Sequence, residues 1–524
     1  MRPSVVLIGF QEQGNLGIGY VAAVLIREGY AVRILDFRQS RQSILDAVKE
    51  TNPLLVGFSL IFQYYTVEFH SLAAFLRENG VTCHFTSGGH YPSICFEEAL
   101  HKIPELDSVV RFEGELTTLE LIQCLEQEQD WRRIDGIAYR DKDRCVATPV
   151  RALIDDLDSL PDPIRPMESH LTILGKRATP LAASRGCSRD CSFCSIRQFY
   201  SEAPGRKVRV RKPLSVAQEM NRLHESTGAS IFLFQDDDFP VWGSFGRNWI
   251  QQFITSLRET GLYGHVLWKV NCRADEVEPE LFGQMRDAGL YMVYLGIESG
   301  NEEGLKTLNK RLSPADSIRA VQTIRSLGLA FAYGFMLFDP SSTFASIRRN
   351  VEFLRHLTAD GDVPVTFCRM LPYAGTPIEA RLKAENRFRG DALDPGYEFL
   401  DPRISELFEA LSPMTAAWFQ GPDSVANQVY FAWQELWVLK RAFKTIELDA
   451  YERLLRFTTS AYNETVLRIT QELIDQHELS DGWSMVDGTA CDELSVLAAG
   501  LVRERDNFIL LNQQLLLQQL TAIA

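Results

Sequence analysis

The sequence predicts an α/β chain in three parts: a doubly wound parallel sheet, a partial (β/α)6 barrel and a mainly helical C-terminal region. Three observations carry this. Short β-branched runs alternate with helix-period stretches from Val5 onward, a Pro-rich run interrupts the alternation, and strand signals fade beyond about Ala380. The length of 524 residues agrees, since about 100–200 residues per domain gives roughly three domains.

The first alternating set reads VVLIGF, AVRILDF, LLVGFSL, VTCHFTSGG and SVVRFE, separated by stretches such as YVAAVLIREGY and VEFHSLAAFLRENG. Strands apolar on both faces belong to a parallel sheet covered by helices. Such sheets bind ligands beyond the carboxyl ends of their strands, so the loops after Phe10, Ser59 and Ser87 are the expected ligand positions. This domain is expected over 1–145. A connector follows over 146–177, where Pro161, Pro163 and Pro166 stiffen the run DDLDSLPDPIRP and the alternation lapses from about residue 130.

A second set follows: LAAS, IFLFQ, HVLWKVN, MVYLGIES, AFAYGFMLF and VTFCRML. Six βα units make an incomplete barrel over 178–380, with its chemistry expected at the carboxyl ends of the strands. Over 381–524 the stretches VYFAWQELWVLKRAF and LLNQQLLLQQL have helical periodicity and read as a cap or an oligomer contact. Trp418, Trp433 and Trp437 fall in these helices and read as core or interface.

Composition narrows the function. Lys+Arg of 54 against Asp+Glu of 69 leaves a net charge of −15, the wrong sign for a nucleic-acid binder. The start MRPSVVLIGF lacks a signal-peptide layout and no apolar run is long enough for a membrane span, so the expectation is a cytoplasmic protein. In that reducing compartment the ten cysteines are free, catalytic or metal-bound. Cys83, Cys95, Cys124, Cys145, Cys272, Cys368 and Cys491 show no paired metal spacing and read as small apolar residues, with Cys272 and Cys368 placed at strand ends near the expected active site.

Cys187, Cys191 and Cys194 are different. Three thiols within eight residues, just after the first strand of the barrel, suit an iron–sulfur cluster or zinc. No fourth cysteine is near, and three protein ligands leave one position open for a reactant. The C-x-x-x-C-x-F-C pattern, with Phe193 before the third cysteine, resembles the signature of the radical S-adenosyl-L-methionine (radical SAM) superfamily. The resemblance implies that the three thiolates hold a 4Fe-4S cluster, that SAM chelates its remaining iron, and that reduction releases a 5′-deoxyadenosyl radical. A zinc knuckle is the alternative.

Four further segments match the same family. Asp236 and Asp237, in QDDDF, end the second strand, where the resemblance implies acidic residues near the SAM amino group. Arg273, in NCRAD, ends the third, where a guanidinium pairs the SAM carboxylate. Glu298, in GIESG, ends the fourth and is expected at the ribose or ammonium. Each has a plain structural alternative: a solvated acidic turn for the aspartates, an internal ion pair for the arginine. The turn LPYAGTP after the last strand reads as structural.

Upstream, LVGFSL, SGGHYP and RFEGE are similar in order to the cobalamin-binding domain of the cobalamin-dependent radical SAM enzymes, a resemblance that spans about Ser4 to Pro377. It implies a Rossmann-like cobalamin-binding domain with Gly14, Ser59, Leu60, Gly88, Gly89, His90 and Glu113 at the cofactor. Many cobalamin proteins carry an Asp-x-His-x-x-Gly loop after the first strand. Here that loop reads Phe10-Gln11-Glu12-Gln13-Gly14-Asn15-Leu16-Gly17 and holds no His, so the lower cobalt face is expected unliganded or met by a polar side chain. His90 is expected to line the pocket or bond locally.

The function implied is methyl transfer to an unactivated carbon, or phosphorus, of a small metabolite or peptide, with flavodoxin or ferredoxin as electron donor, no nucleic-acid partner and no membrane span. A cyclisation, rearrangement or oxidation with the same cofactors is the first alternative. A non-enzymatic cobalamin- or metal-binding regulatory module is the second.

Overall fold

The computed structural model describes the chain except for residues 1, 12–13, 167–170, 392, 422, 444–445, 480–488 and 522–524. Glu12 and Gln13 of the first loop and residues 167–170 of the expected connector therefore lie outside the described residues.

Seven strands form the first sheet: β1 (Ser4–Gly9), β2 (Ala31–Asp36), β3 (Leu55–Ser59), β4 (His84–Gly88), β5 (Ser108–Val110), β6 (Ile137–Asp141) and β7 (Arg144–Ala147). Their order is β2-β1-β3-β4-β5-β6-β7, parallel through β5. The chain reverses its direction of travel between β1 and β3. That switch point opens a crevice between the loops after them. Val5, Val6 and Ile8 of β1 are wholly buried because helices cover both faces. Ile18, Ala22 and Leu121 pack one face, and Ile44, Phe69 and Leu72 the other.

One expectation fails here. The lapse placed from about residue 130 holds the antiparallel hairpin β6–β7, which closes the sheet edge. Its short, half-exposed strands give a weaker signal than a buried parallel strand, and it ends just beyond the boundary expected at 145.

The second sheet holds β8 (Leu171–Ile173), β9 (Lys176–Leu181), β12 (Ala229–Phe234), β13 (Leu267–Cys272), β14 (Leu290–Glu298), β15 (Ala330–Phe338) and β16 (Cys368–Arg369), with the small pair β10 (Ser184–Arg185) and β11 (Arg209–Val210) beside it. Six of its strands are parallel, in the order β16-β15-β14-β13-β12-β9, and β8 pairs antiparallel to β9. Expected strand LAAS is corrected to β9, which ends at Leu181, with β10 following. The long VTFCRML strand is also corrected. Only Cys368–Arg369 pair, because Pro364 has no N–H and Asn463 takes the Val365 amide at 2.7 Å and the Val363 carbonyl at 3.0 Å.

Outside the sheet, Phe232, Phe234, Trp268 and Phe253 build the core against the helices. Inside, the helix Val425–Ala442 caps the lumen, where Val438 and Leu439, with Phe443 just beyond it, pack on Tyr291, Met292 and Ala330. The cap reading of the helical region holds. Trp418 and Trp433 are buried, and Trp433 donates to Thr459 Oγ1 at 2.9 Å.

Candidate active site at the barrel mouth

The cysteine loop is held from three directions. Asp237, just past β12, accepts the Gly186 amide at 2.9 Å. The segment after β14 takes Ser192 twice, its amide by Leu308 O and its hydroxyl by Thr307 O, each at 2.9 Å, and Asn309 donates to Asp190 O at 2.6 Å. The turn after β16 adds Ile378 N to Ser192 O at 3.1 Å. Gly186 is obligatory: at φ +86° a Cβ would stand 1.9 Å from Lys207 O.

Cys191 is buried and Cys187 and Cys194 are half-buried. Burial, and then the Asp238 carboxylate, push the Cys187 thiol up to about 12, and burial pushes Cys194 to about 11. Asp238 accepts from Cys187 Sγ at 3.7 Å. Such thiols ionise when a metal replaces their protons. Among the described residues no three His, Cys, Asp or Glu side chains converge as one ion would require. A cluster asks less, because each thiolate meets a different iron.

Around the loop lie the residues expected at SAM. Asp236 is spent internally: it accepts from Ser184 Oγ at 2.5 Å and from the Ala183 amide at 3.1 Å, while burial lifts it to about 7. That corrects its assignment to SAM. Asp237 is reachable by solvent inside the cavity, though walled by protein, and the enclosure raises its pKa. Arg273 is buried, pairs with Asp275 at 2.9 Å and donates to Lys310 O at 2.9 Å, leaving Nη1 without a partner among the described residues. Asn271 Oδ1 and Arg189 Nε are also unpartnered. Three buried orphans at one mouth fit a ligand rich in carboxylate, amine and hydroxyl groups. Glu298 sits at φ +68° and pairs with Lys310 at 3.0 Å; Phe193 packs on the barrel core.

The cobalamin-side residues divide. Asn15 caps the helix Leu16–Arg27 and donates to Ser59 Oγ at 3.2 Å, tying together the two loops at the switch point. Leu60 N donates to Gly88 O at 2.8 Å, and Gly89, at φ +116°, lies so near Leu60 that a Cβ would meet its carbonyl at 2.4 Å. Gly14 similarly abuts Pro180 of β9, its Cβ position 2.4 Å from Cγ. The His90 ring meets Phe199 edge-on at 4.5 Å, and burial lowers its pKa to about 4, so it is neutral. Its contact is that ring, at the meeting of the first domain with the barrel. Among the described residues Gln63 Nε2 and Ser87 Oγ are buried without partners, which fits an amide- and phosphate-bearing group.

Glu113 does not fit that role. Its carboxylate takes Arg185 at 3.0 Å, Arg209 at 2.8 Å and the Ile154 amide at 2.7 Å. Burial works to raise it, but the two guanidinium groups hold it below the usual carboxylate range. It fastens the first domain to the barrel.

Sequence reasoning missed Asp238, Lys310, Lys269 and Tyr294. The last two had a signal: polar side chains at alternate positions of the runs HVLWKVN and MVYLGIES, where a parallel strand buried on both faces reads apolar throughout.

A parallel half-barrel bearing three thiols at its carboxyl end, faced by a doubly wound sheet, defines a class of two-cofactor α/β enzymes. Comparisons make this specific. Residues 10–122 match the B12 binding domain model, and residues 181–354 match the Radical SAM superfamily model. Cytidylyl-2-hydroxyethylphosphonate methyltransferase of Streptomyces wedmorensis is 30% identical over 387 residues, covering 62% of this chain and 68% of that one. An uncharacterized methyltransferase of Pyrococcus horikoshii is 28% identical over 373 residues, covering 69% and 77%. Among solved structures, the cobalamin-dependent S-adenosylmethionine radical enzyme OxsB with aqua-cobalamin bound superposes with a TM-score of 0.71 at 18% identity, covering 100% of this chain and 81% of that one. The chain belongs to the cobalamin-binding radical SAM family. It is an enzyme whose cofactors are a 4Fe-4S cluster, SAM and cobalamin. Among the described residues no helix is long and apolar enough to cross a membrane.

Proposed function

We propose that this enzyme is a methyltransferase acting on an unactivated carbon or phosphorus of a small molecule, in the cytoplasm, with flavodoxin or ferredoxin as reductant. The observation that carries the reading is the meeting of the two carboxyl ends: Gly14 abuts Pro180, His90 meets Phe199 edge-on, and Gln63 Oε1 accepts the Ala374 amide at 3.0 Å. A group over the first sheet thus faces the barrel lumen. The methyltransferase names of the relatives agree with it.

In this reading Cys187, Cys191 and Cys194 hold the cluster. Phe193, Asp237, Arg273 and Glu298 surround SAM, Arg273 offering its free Nη1 to the carboxylate. Ser59, Leu60, Gly88, Gly89, Gly14 and His90 line the cobalamin side. Bound there, the cluster supplies one-electron cleavage of SAM, and cobalamin supplies the methyl group. The chain orients both and keeps water out, through the helical cap below and the Glu113 joint above.

The test is anaerobic reconstitution and assay of SAM turnover with candidate substrates. S-adenosylhomocysteine and 5′-deoxyadenosine formed together support methylation. 5′-Deoxyadenosine alone indicates a cyclisation, rearrangement or oxidation instead, and zinc in place of iron and sulfide retires radical chemistry.

A further inference from the structure

Below the SAM residues, the lumen face of β13 carries Lys269, Asn271 and Arg273 at alternate positions. Arg273 stands at the mouth. Lys269 lies four residues deeper, about 13 Å along the strand. Its ammonium has no carboxylate and no hydrogen-bond acceptor among the described residues; its contact is the Tyr294 ring, 5.4 Å from Nζ to centroid. Tyr294 projects from β14 into the same space, and its hydroxyl has no hydrogen bond among the described residues either.

Tyr294 is 37% exposed, so these groups face a space and not a packed core. Asn271 pairs in register with Tyr294, Tyr294 with Ala332, and Gly296 with Gly334, so small residues stand beside and above the tyrosine. A Cβ on Gly334 would lie 2.8 Å from the Tyr294 hydroxyl. Leu233 and Met292 flank Lys269 on the neighbouring strands. The floor is polar: Gln434 of the capping helix bonds Tyr430 and reaches Met292 Sδ at 3.2 Å. The nearby lumen cation Lys310 has its counter-ion in Glu298, whereas Lys269 has none. Burial alone draws the Lys269 pKa down, to about 8, which still leaves it mainly protonated at neutral pH. An enclosed cation without a counter-ion is costly, and a bound anion removes that cost.

We propose that Lys269 Nζ and the Tyr294 hydroxyl anchor a negatively charged group of the substrate, a carboxylate or a phosphate-type oxyanion, so that the enzyme acts on a small anionic molecule held with its uncharged part toward the glycine layer and the barrel mouth. This rests on the reading of the lumen as the substrate cavity of the methyltransferase. It extends that reading to substrate class.

The experiment uses the reconstituted full chain. The rate of Lys269 modification by a small amine-reactive reagent at pH 8 is followed by peptide mass spectrometry, with exposed Lys142 and Lys207 as internal references. The probes are glycerol 2-phosphate, succinate and neutral glycerol. One of the two anions is expected to slow Lys269 by about five-fold at about four times its dissociation constant, with glycerol and the reference lysines unaffected. Which anion protects identifies the oxyanion. Tyr294→Phe is expected to weaken that protection while Lys269 stays reactive. An unreactive Lys269 in the anion-free protein, or equal rates with all three probes, overturns the anchor. On the same preparation, failure to form S-adenosylhomocysteine and 5′-deoxyadenosine overturns the methyltransferase reading instead, and the labelling result stands apart from it.

Discussion

Glu113→Gln separates a joint between domains from a cofactor contact. In the structure the carboxylate neutralises Arg209, whose side chain is 1% exposed, and shares Arg185 with Glu115, which lies 2.6 Å from it. The substitution keeps shape and removes charge. Arg185 retains Glu115, but Arg209 loses its paired charge and keeps a neutral amide oxygen at position 113, the Ile154 carbonyl at 2.9 Å and the Tyr200 ring at 5.3 Å, with Nε and Nη2 already unpartnered among the described residues. Removing one partner of a buried pair costs about 3–5 kcal/mol, and the surviving Arg185–Glu115 pair puts this case near the lower end, about 3 kcal/mol. Thermal unfolding of the full chain should shift down by roughly 6–12 °C, at about 2–4 °C per kcal/mol for domains of this size. The wild-type contribution has a pH signature. Because the folded pKa is depressed, the stabilisation is present above the unfolded carboxylate value of about 4.3 and is lost as pH falls through the folded value. The acid limb should therefore flatten in the variant. A variant that melts like wild type but binds cobalamin ten-fold more weakly would refute the joint and return Glu113 to the cofactor.

Three other outcomes are expected. Single Cys187→Ala, Cys191→Ala and Cys194→Ala variants should lose cluster iron and 5′-deoxyadenosine formation, while Cys83→Ala, remote from the loop, keeps its iron; iron analysis and chromatography check both. Gly89→Ala should destabilise the first domain by about 1–3 kcal/mol through a strained positive φ, plus the clash with Leu60 O, read in chemical denaturation. His90 has a folded pKa of about 4 against about 6.5 unfolded, so it withdraws stability as pH falls below 6.5, by at most about 3 kcal/mol near pH 4. His90→Phe, which keeps a ring against Phe199, should make unfolding less pH-dependent in that window; an unchanged slope sinks the assignment.

Much of this molecule was legible in order along the chain. Repeated β-branched runs with helix-period spacers are local patterns, so the two parallel sheets and the helical region followed from periodicity. The cysteine loop was legible because its three thiols lie within eight residues, where sequence spacing is itself geometry. What failed was whatever depended on partners far along the chain. The same acidic residue type became an internal tie in Asp236, a loop anchor in Asp237 and a domain joint in Glu113. Nothing in the local sequence distinguishes these roles, since Ser184, Gly186 and Arg209 supply the difference.

By itself, then, the sequence determined the family, the cofactor set and the loop that brings three cysteines together, because each is written in contiguous segments. Only the tertiary structure decided which carboxylates are already spent, that the helix Val425–Ala442 caps the lumen, and that Lys269 stands there beside Tyr294 without a counter-ion among the described residues. The physical reason is that charge compensation is a property of neighbours in space. Strand register and helix packing choose those neighbours, across separations as large as the 96 residues between Glu113 and Arg209.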